Sequence, residues 1–173
     1  MKNIKPVLII TTILFCYSSS AFSKQYTYFR INHELNDSED KATGIAYVLK
    51  ESKSTTEAGI SINKISSDKS LESNNRNSIY PVYGFANISL NTPITPFIEF
   101  GIDLGDFFFD KINEGDALET DIYYSAGIKF KFHKQLYLTI YAKAYELYFN
   151  EIDDITIQNV TIDMKGASLA FYF

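Results

Sequence analysis

Residues Ile94–Asp106 read ITPFIEFGIDLGD, and their alternation governs how the rest of the chain is read. Ile94, Pro96, Ile98, Phe100, Ile102 and Leu104 form one apolar set, while Thr95, Phe97, Glu99, Gly101, Asp103 and Gly105 lie between them. Successive side chains of a strand point to opposite faces, so the segment has one greasy face and one polar face. Alternation alone decides only antiparallel β. Here, however, the polar face mixes charge with glycine, where a small soluble barrel would place an apolar core. The segment also has about the length that crosses a hydrocarbon layer at roughly 45° tilt.

The pattern recurs outward from this stretch. Asp121–Phe132 sets Ile122, Tyr124, Ala126, Ile128, Phe130 and Phe132 against Asp121, Tyr123, Ser125, Gly127, Lys129 and Lys131. Six further segments read as strands. They are Gln25–Leu35, Ala42–Glu51, Glu57–Ile65, Ile79–Leu90, Gln135–Phe149 and Val160–Phe173. The first and third alternate less cleanly, and the second is ambiguous. The expected fold is all-β, an eight-stranded antiparallel up-and-down transmembrane barrel.

The connections give the topology. SKSTT, NTP and HK are short, whereas NDSEDK, SSDKSLESNNRNS, FFFDKINEGDALET and NEIDDITIQN are long, and the two kinds alternate along the chain. If the amino-terminal strand starts on the periplasmic side, every short turn falls there and every long loop faces outward, as in bacterial outer-membrane barrels. The long connections hold most of the acidic residues, which marks that end as water-bathed.

Residues 1–23 read as a cleaved signal peptide and 24–173 as the barrel domain. Lys2 and Lys5 form a basic start, Pro6–Tyr17 an apolar run too short to span as a helix, and Ala21 and Ser23 offer small residues for cleavage. Cys16 lies inside this segment, and Phe15 before it disfavours lipidation. The mature chain therefore has no cysteine for a disulfide, a thiolate metal site or a nucleophile. Removing Lys2 and Lys5 takes the formal charge from −5 to −7, against a nucleic-acid partner. No cofactor and no metal site is expected.

The chain resembles the small eight-stranded outer-membrane proteins of the OmpA membrane-domain and OmpX type. The resemblance is one of architecture, and its most specific element is the ending, where Ala167, Leu169, Phe171 and Phe173 occupy alternate positions. In that family such an ending is the signal read by the barrel-assembly machinery. The resemblance implies that machinery and periplasmic chaperones as partners in biogenesis, then outer-membrane lipids and lipopolysaccharide. A host or cell-surface ligand at the loops is a further expected partner. Lys165 and Asp163 depart from the pattern. Either Lys165 sits high enough to snorkel, or a bulge switches phase and turns Ile162 and Met164 outward. Phe130, Phe132, Phe171 and Phe173 are expected as an inner aromatic girdle, with Tyr80, Tyr148 and Phe107 to Phe109 as an outer one.

Inside, Arg30, Lys50, Lys129 and Lys143 are expected to face Glu34, Glu57, Glu99 and Asp103 in a paired network that plugs the lumen. Arg30, Glu99 and Lys129 would lie near the middle, with Lys143 and Asp103 nearer the outside. The expected function is non-enzymatic, structural or surface-interacting, through four outer loops. A lipid-A-modifying enzyme using His33 is the competing reading, and a soluble periplasmic carrier the third. His133 sits in a short turn and reads as solvated, as does the Asp153–Asp154 pair.

Overall fold

The computed structural model describes residues 25–52, 54–66, 78–90, 92, 94–105, 118–149 and 158–173. The signal-peptide reading, Phe107 to Phe109, Asp153–Asp154 and the centres of three long connections lie outside the described residues. Nine strand segments are present: β1 (Gln25–Leu35), β2 (Lys41–Glu51), β3 (Thr56–Ser66), β4 (Ser78–Ile79), β5 (Val82–Ser89), β6 (Ile94–Asp103), β7 (Leu118–His133), β8 (Leu136–Phe149) and β9 (Gln158–Tyr172). β4 and β5 both pair with β3 and are separated by Tyr80–Pro81, so they form a single stave. Proline cannot donate to a ladder, which accounts for the break.

Each stave pairs antiparallel with its neighbour in the chain, and β1 closes the circle on β9, from Tyr28 opposite Tyr172 to Leu35 opposite Lys165. The result is a closed, eight-staved antiparallel barrel. Closure satisfies the backbone groups that an open sheet edge would leave bare, which lipid does not tolerate.

The sidedness is inverted relative to a water-soluble protein. Along β6, Ile94, Pro96, Ile98 and Phe100 are exposed and Thr95, Phe97, Glu99 and Gly101 are buried. Ile45, Ile60, Ile62, Ile88, Ile128 and Ile140 face outward elsewhere on the wall, whereas Glu34, Glu57, Asn63 and Asn87 are at most 1% exposed. β2 alternates as cleanly as β6.

Several sequence expectations are corrected at strand ends. Asp121, placed on the inward parity, is exposed because the β7–β8 register shifts between Thr120 and Tyr123. Lys131 is exposed beside the Tyr137 ring, where β7 runs into its two-residue turn. Leu104, the last residue of the greasy set, lies past the end of β6 and is buried against Gly84. No phase switch occurs near Lys165: Lys165 and Asp163 are exposed and Ile162 and Met164 are buried, in unbroken register with β8.

The first connection is also shorter than its class implied. Asn36–Asp40 is five residues, against four for Ser52–Thr55. It is held by the Asn36 side chain, whose Oδ1 accepts from the backbone of Ser38 and Asp40 at 2.9 Å each. Glu39 takes a φ of 68° within that turn.

Candidate functional site

The lumen is where polar chemistry collects. The inward parity of β1, β2, β3, β5, β6, β7 and β8 converges on three buried carboxylates, each taking donors from at least one other stave. Glu99 receives Arg30 in a two-pronged contact, Nη1 at 2.6 Å and Nη2 at 3.0 Å, plus the Tyr123 hydroxyl at 2.9 Å and Asn87 Nδ2 at 3.3 Å. Glu57 accepts Lys129 Nζ at 2.6 Å, Tyr28 Oη at 2.6 Å and Lys50 Nζ at 3.0 Å. Glu34 accepts Tyr145 Oη at 2.5 Å, Tyr141 Oη at 2.8 Å, Asn32 Nδ2 at 3.0 Å and Lys143 Nζ at 3.3 Å. Asp103 lies apart at the end of β6, where it accepts from the Thr120 hydroxyl and the Gly105 amide.

Removing charges from water is compensated only when partners and hydrogen bonds replace the lost solvation. The four cations divide among three carboxylates: Arg30 on Glu99, Lys50 and Lys129 on Glu57, and Lys143 on Glu34. The cations also sit on aromatic faces. Lys143 Nζ lies 3.8 Å from the Tyr123 ring centre, Arg30 4.8 Å from that of Phe85 and Lys129 5.2 Å from that of Phe97. Lys143 bonds Glu34 two staves away, where β9 carries the register from Glu34 through Gly166 to Tyr141, two residues from Lys143.

Sequence reasoning missed the tyrosines. Tyr28, Tyr123, Tyr141 and Tyr145 supply a hydroxyl to each of the three lumen carboxylates, Asn87 links Glu99 to Lys129, and Asn32 links Glu34 to Asn63. Their positions share the parity of the charged residues, and that was the available signal. Glycines make room for the rings. A Cβ at Gly101 would collide with the Tyr123 ring, and one at Gly166 would lie 2.7 Å from the Tyr141 ring and 2.8 Å from Glu34 Cγ.

Aromatic layers close both ends of the network. On the short-turn side Tyr172 stacks on Tyr28 at 4.2 Å and meets Tyr137 at 4.6 Å. On the other side Tyr83 and Tyr145 flank Tyr123, with centroids at 4.8 and 5.8 Å. A void of about 10 Å³ touches Arg30, Asn63, Glu99 and Lys143. That is about the space of one water molecule, and far from a channel.

Outside, Ala167 and Phe171 are exposed, Leu169 is half-buried and Phe173 is 74% exposed. Phe29 meets Tyr47 at 5.4 Å and Phe173 at 5.8 Å, so an aromatic cluster rings the short-turn end with Phe132 and Phe171. Tyr80 is 65% exposed near the other end, with Lys64 Nζ 5.9 Å from its ring centre. His33 faces outward, its Nδ1 3.2 Å from the Thr43 hydroxyl.

This geometry has counterparts among solved structures. The Neisserial surface protein A barrel aligns with a TM-score of 0.53 and 11% identity, over 86% of this chain and 97% of that one. The N-terminal barrel domain of Pseudomonas aeruginosa OprF gives 0.54 and 10%, over 87% and 99%. A de novo designed transmembrane barrel gives 0.54 and 9%, over 86% and 95%. The chain has the fold of the small eight-stranded transmembrane β-barrels. No protein-family model matches the sequence, and no curated protein matches it either. The likeness is therefore one of fold.

Proposed function

We propose that the protein is an outer-membrane barrel with a structural or surface-interaction role. In this reading it is exported by a cleaved signal peptide and folded by the barrel-assembly machinery, with Ala167, Leu169, Phe171 and Phe173 as the recognised ending. The connections after β1, β3, β6 and β8 face outward, where a host, cell-surface or lipopolysaccharide ligand would meet them. The observation that carries the proposal is the lumen. Seven of its charged residues, Arg30, Lys50, Lys129 and Lys143 with Glu34, Glu57 and Glu99, form a packed, paired plug between two aromatic layers, so these charges are committed to one another. That leaves the rims and the outer wall as the surfaces available for function.

Protease shaving of intact cells tests the topology. Cleavage within residues 67–77 or 106–117, with the rest protected, is the expected outcome. Cleavage only after the outer membrane is opened would overturn it. The enzymatic alternative draws on one feature, the outward His33 beside Thr43. A catalytic base is ordinarily oriented by a further group, and here the recorded partner is a neutral hydroxyl. Replacing His33 by Asn should leave the lipid A mass spectrum unchanged; a lost modification would favour the enzyme. The soluble carrier is disfavoured by the exposed isoleucines around the wall, which water would not tolerate as a continuous belt.

A further inference from the structure

The outer wall is not evenly filled. Ile94 and Ile98 project from β6, but the neighbouring outward positions on β7 and β8 include the small Ala126 and Ala142, with the buried Ala144 beside them. Register aligns Phe100, Tyr124, Ala144 and Asp163 in one row, and Ile98, Ala126, Ala142 and Lys165 in the next. The alanines form the floor of a groove of about 710 Å³. Phe100 and Tyr124 make one bank, and Lys165, Asp163 and Asp37 make the other. Concave, mostly apolar sites of this size with a few polar groups at one edge are the usual form of a ligand pocket.

Depth decides the kind of occupant. Lys165 lies eight residues before Phe173. At about 3.3 Å per residue and about 40° tilt, that is roughly 20 Å along the membrane normal, in an apolar band about 25 Å tall. The charged bank is therefore near the headgroups, and the alanine floor runs into the hydrocarbon. Lining atoms in hydrocarbon lose dispersion contacts unless something fills the gap, and lipid is the material present at that depth.

Charge selects the headgroup. Lys165 Nζ is 3.5 Å from Asp37 Oδ1, with side chains 80% and 94% exposed, and Asp163 stands two residues from Lys165 on the same face. One ammonium and two carboxylates repel a purely anionic headgroup on balance and complement a zwitterion. An exposed pair of this kind is worth little by itself and is readily exchanged for other partners. We propose that the groove holds one acyl chain of a zwitterionic glycerophospholipid, its phosphate on Lys165 and its ammonium on Asp163 and Asp37. The inference rests on the membrane-embedded reading above.

The test uses the full barrel in nanodiscs with equal amounts of phosphatidylethanolamine and phosphatidylglycerol of matched chains, followed by mild extraction and native mass spectrometry. The wild type should retain one phosphatidylethanolamine in preference to phosphatidylglycerol. Ala142→Phe fills the floor from an outward position and should cut retention by about tenfold, the scale of overpacking a formed site. Ala126→Leu should act in the same direction by a smaller filling. Lys165→Gln should keep the chain and lose the headgroup preference, and Ile45→Phe on β2, outside the groove, should change neither. Equal retention by wild type and both alanine variants would overturn the proposal, as would phosphatidylglycerol held as well as phosphatidylethanolamine. Migration of unheated samples on a gel reports folding throughout. A folded barrel without bound lipid defeats the groove alone, whereas a wild type that never folds into bilayers defeats the membrane reading as well.

Discussion

Replacing Glu99 by Ala tests the claim that the interior is an electrostatically closed unit. Glu99 is 5% exposed and accepts both prongs of Arg30, the Tyr123 hydroxyl and Asn87. Its loss leaves a guanidinium that is 8% exposed, and no substitute is at hand. Glu57 already takes three donors and Glu34 four. Breaking a buried pair from one side costs about 3–5 kcal/mol, mostly the penalty of the stranded charge. With urea slopes of about 1–3 kcal/mol per molar, the unfolding midpoint should fall by more than about 1 M. The assay is reversible unfolding from phospholipid vesicles, followed by tyrosine fluorescence because the chain has no tryptophan. Removing both charges, as Glu99→Leu with Arg30→Met, should recover most of the loss, since apolar replacement of a whole buried pair is often neutral or stabilising. An unchanged midpoint for Glu99→Ala, or a double variant that loses the sum of both single effects, would refute the reasoning.

Two further outcomes follow from the same geometry. Ile98→Lys places a charge on the outward face at mid-wall, where Ile98 is 61% exposed, and should cost about 2–4 kcal/mol in the same assay. Phe132→Lys, equally outward but beside the two-residue turn, should cost only about 0–1 kcal/mol; equal costs would mean that the wall is not in lipid. Gly101→Ala sets a methyl against the Tyr123 ring and should destabilise by about 1–3 kcal/mol, the range for overpacking. Combining it with Tyr123→Phe should not relieve the clash, because the ring itself is the obstacle; relief would point to the hydroxyl's bond to Glu99 instead.

Parity made much of this molecule legible, because closure and sidedness follow from a period of two. Parity assigns a face and says nothing about a partner. Lys143 and Glu34 are 109 residues apart and meet only because the barrel closes β1 onto β9, which no local pattern encodes. Tyr123 and Tyr124 show the same limit at a single step. One is fully buried with its hydroxyl on Glu99 and the other is 49% exposed on the wall, although composition treats them alike. Asp121 and Lys131 mark where alternation stops being informative. Strands that run past the hydrocarbon have water on both faces, so nothing forces polar residues inward there. The break at Tyr80–Pro81 had a signal in Pro81, which cannot donate to a ladder, although Pro96 sits within β6 without a break.

The inverted sidedness also determines where change can be absorbed. An interior bonded across Arg30, Glu57, Glu99 and Lys143 couples staves that are distant in sequence, so a single substitution there disturbs several others. The wall has the opposite character. Its isoleucines and alanines touch lipid, and exchanging one apolar residue for another leaves the ladder and the lumen intact. A groove floored by Ala126 and Ala142 can therefore be reshaped without cost to the fold, while the exposed Lys165 and Asp163 at its edge supply charges that a headgroup can pair with. A barrel of this kind keeps its rigidity in the lumen and its capacity for specificity on the surface that faces the bilayer.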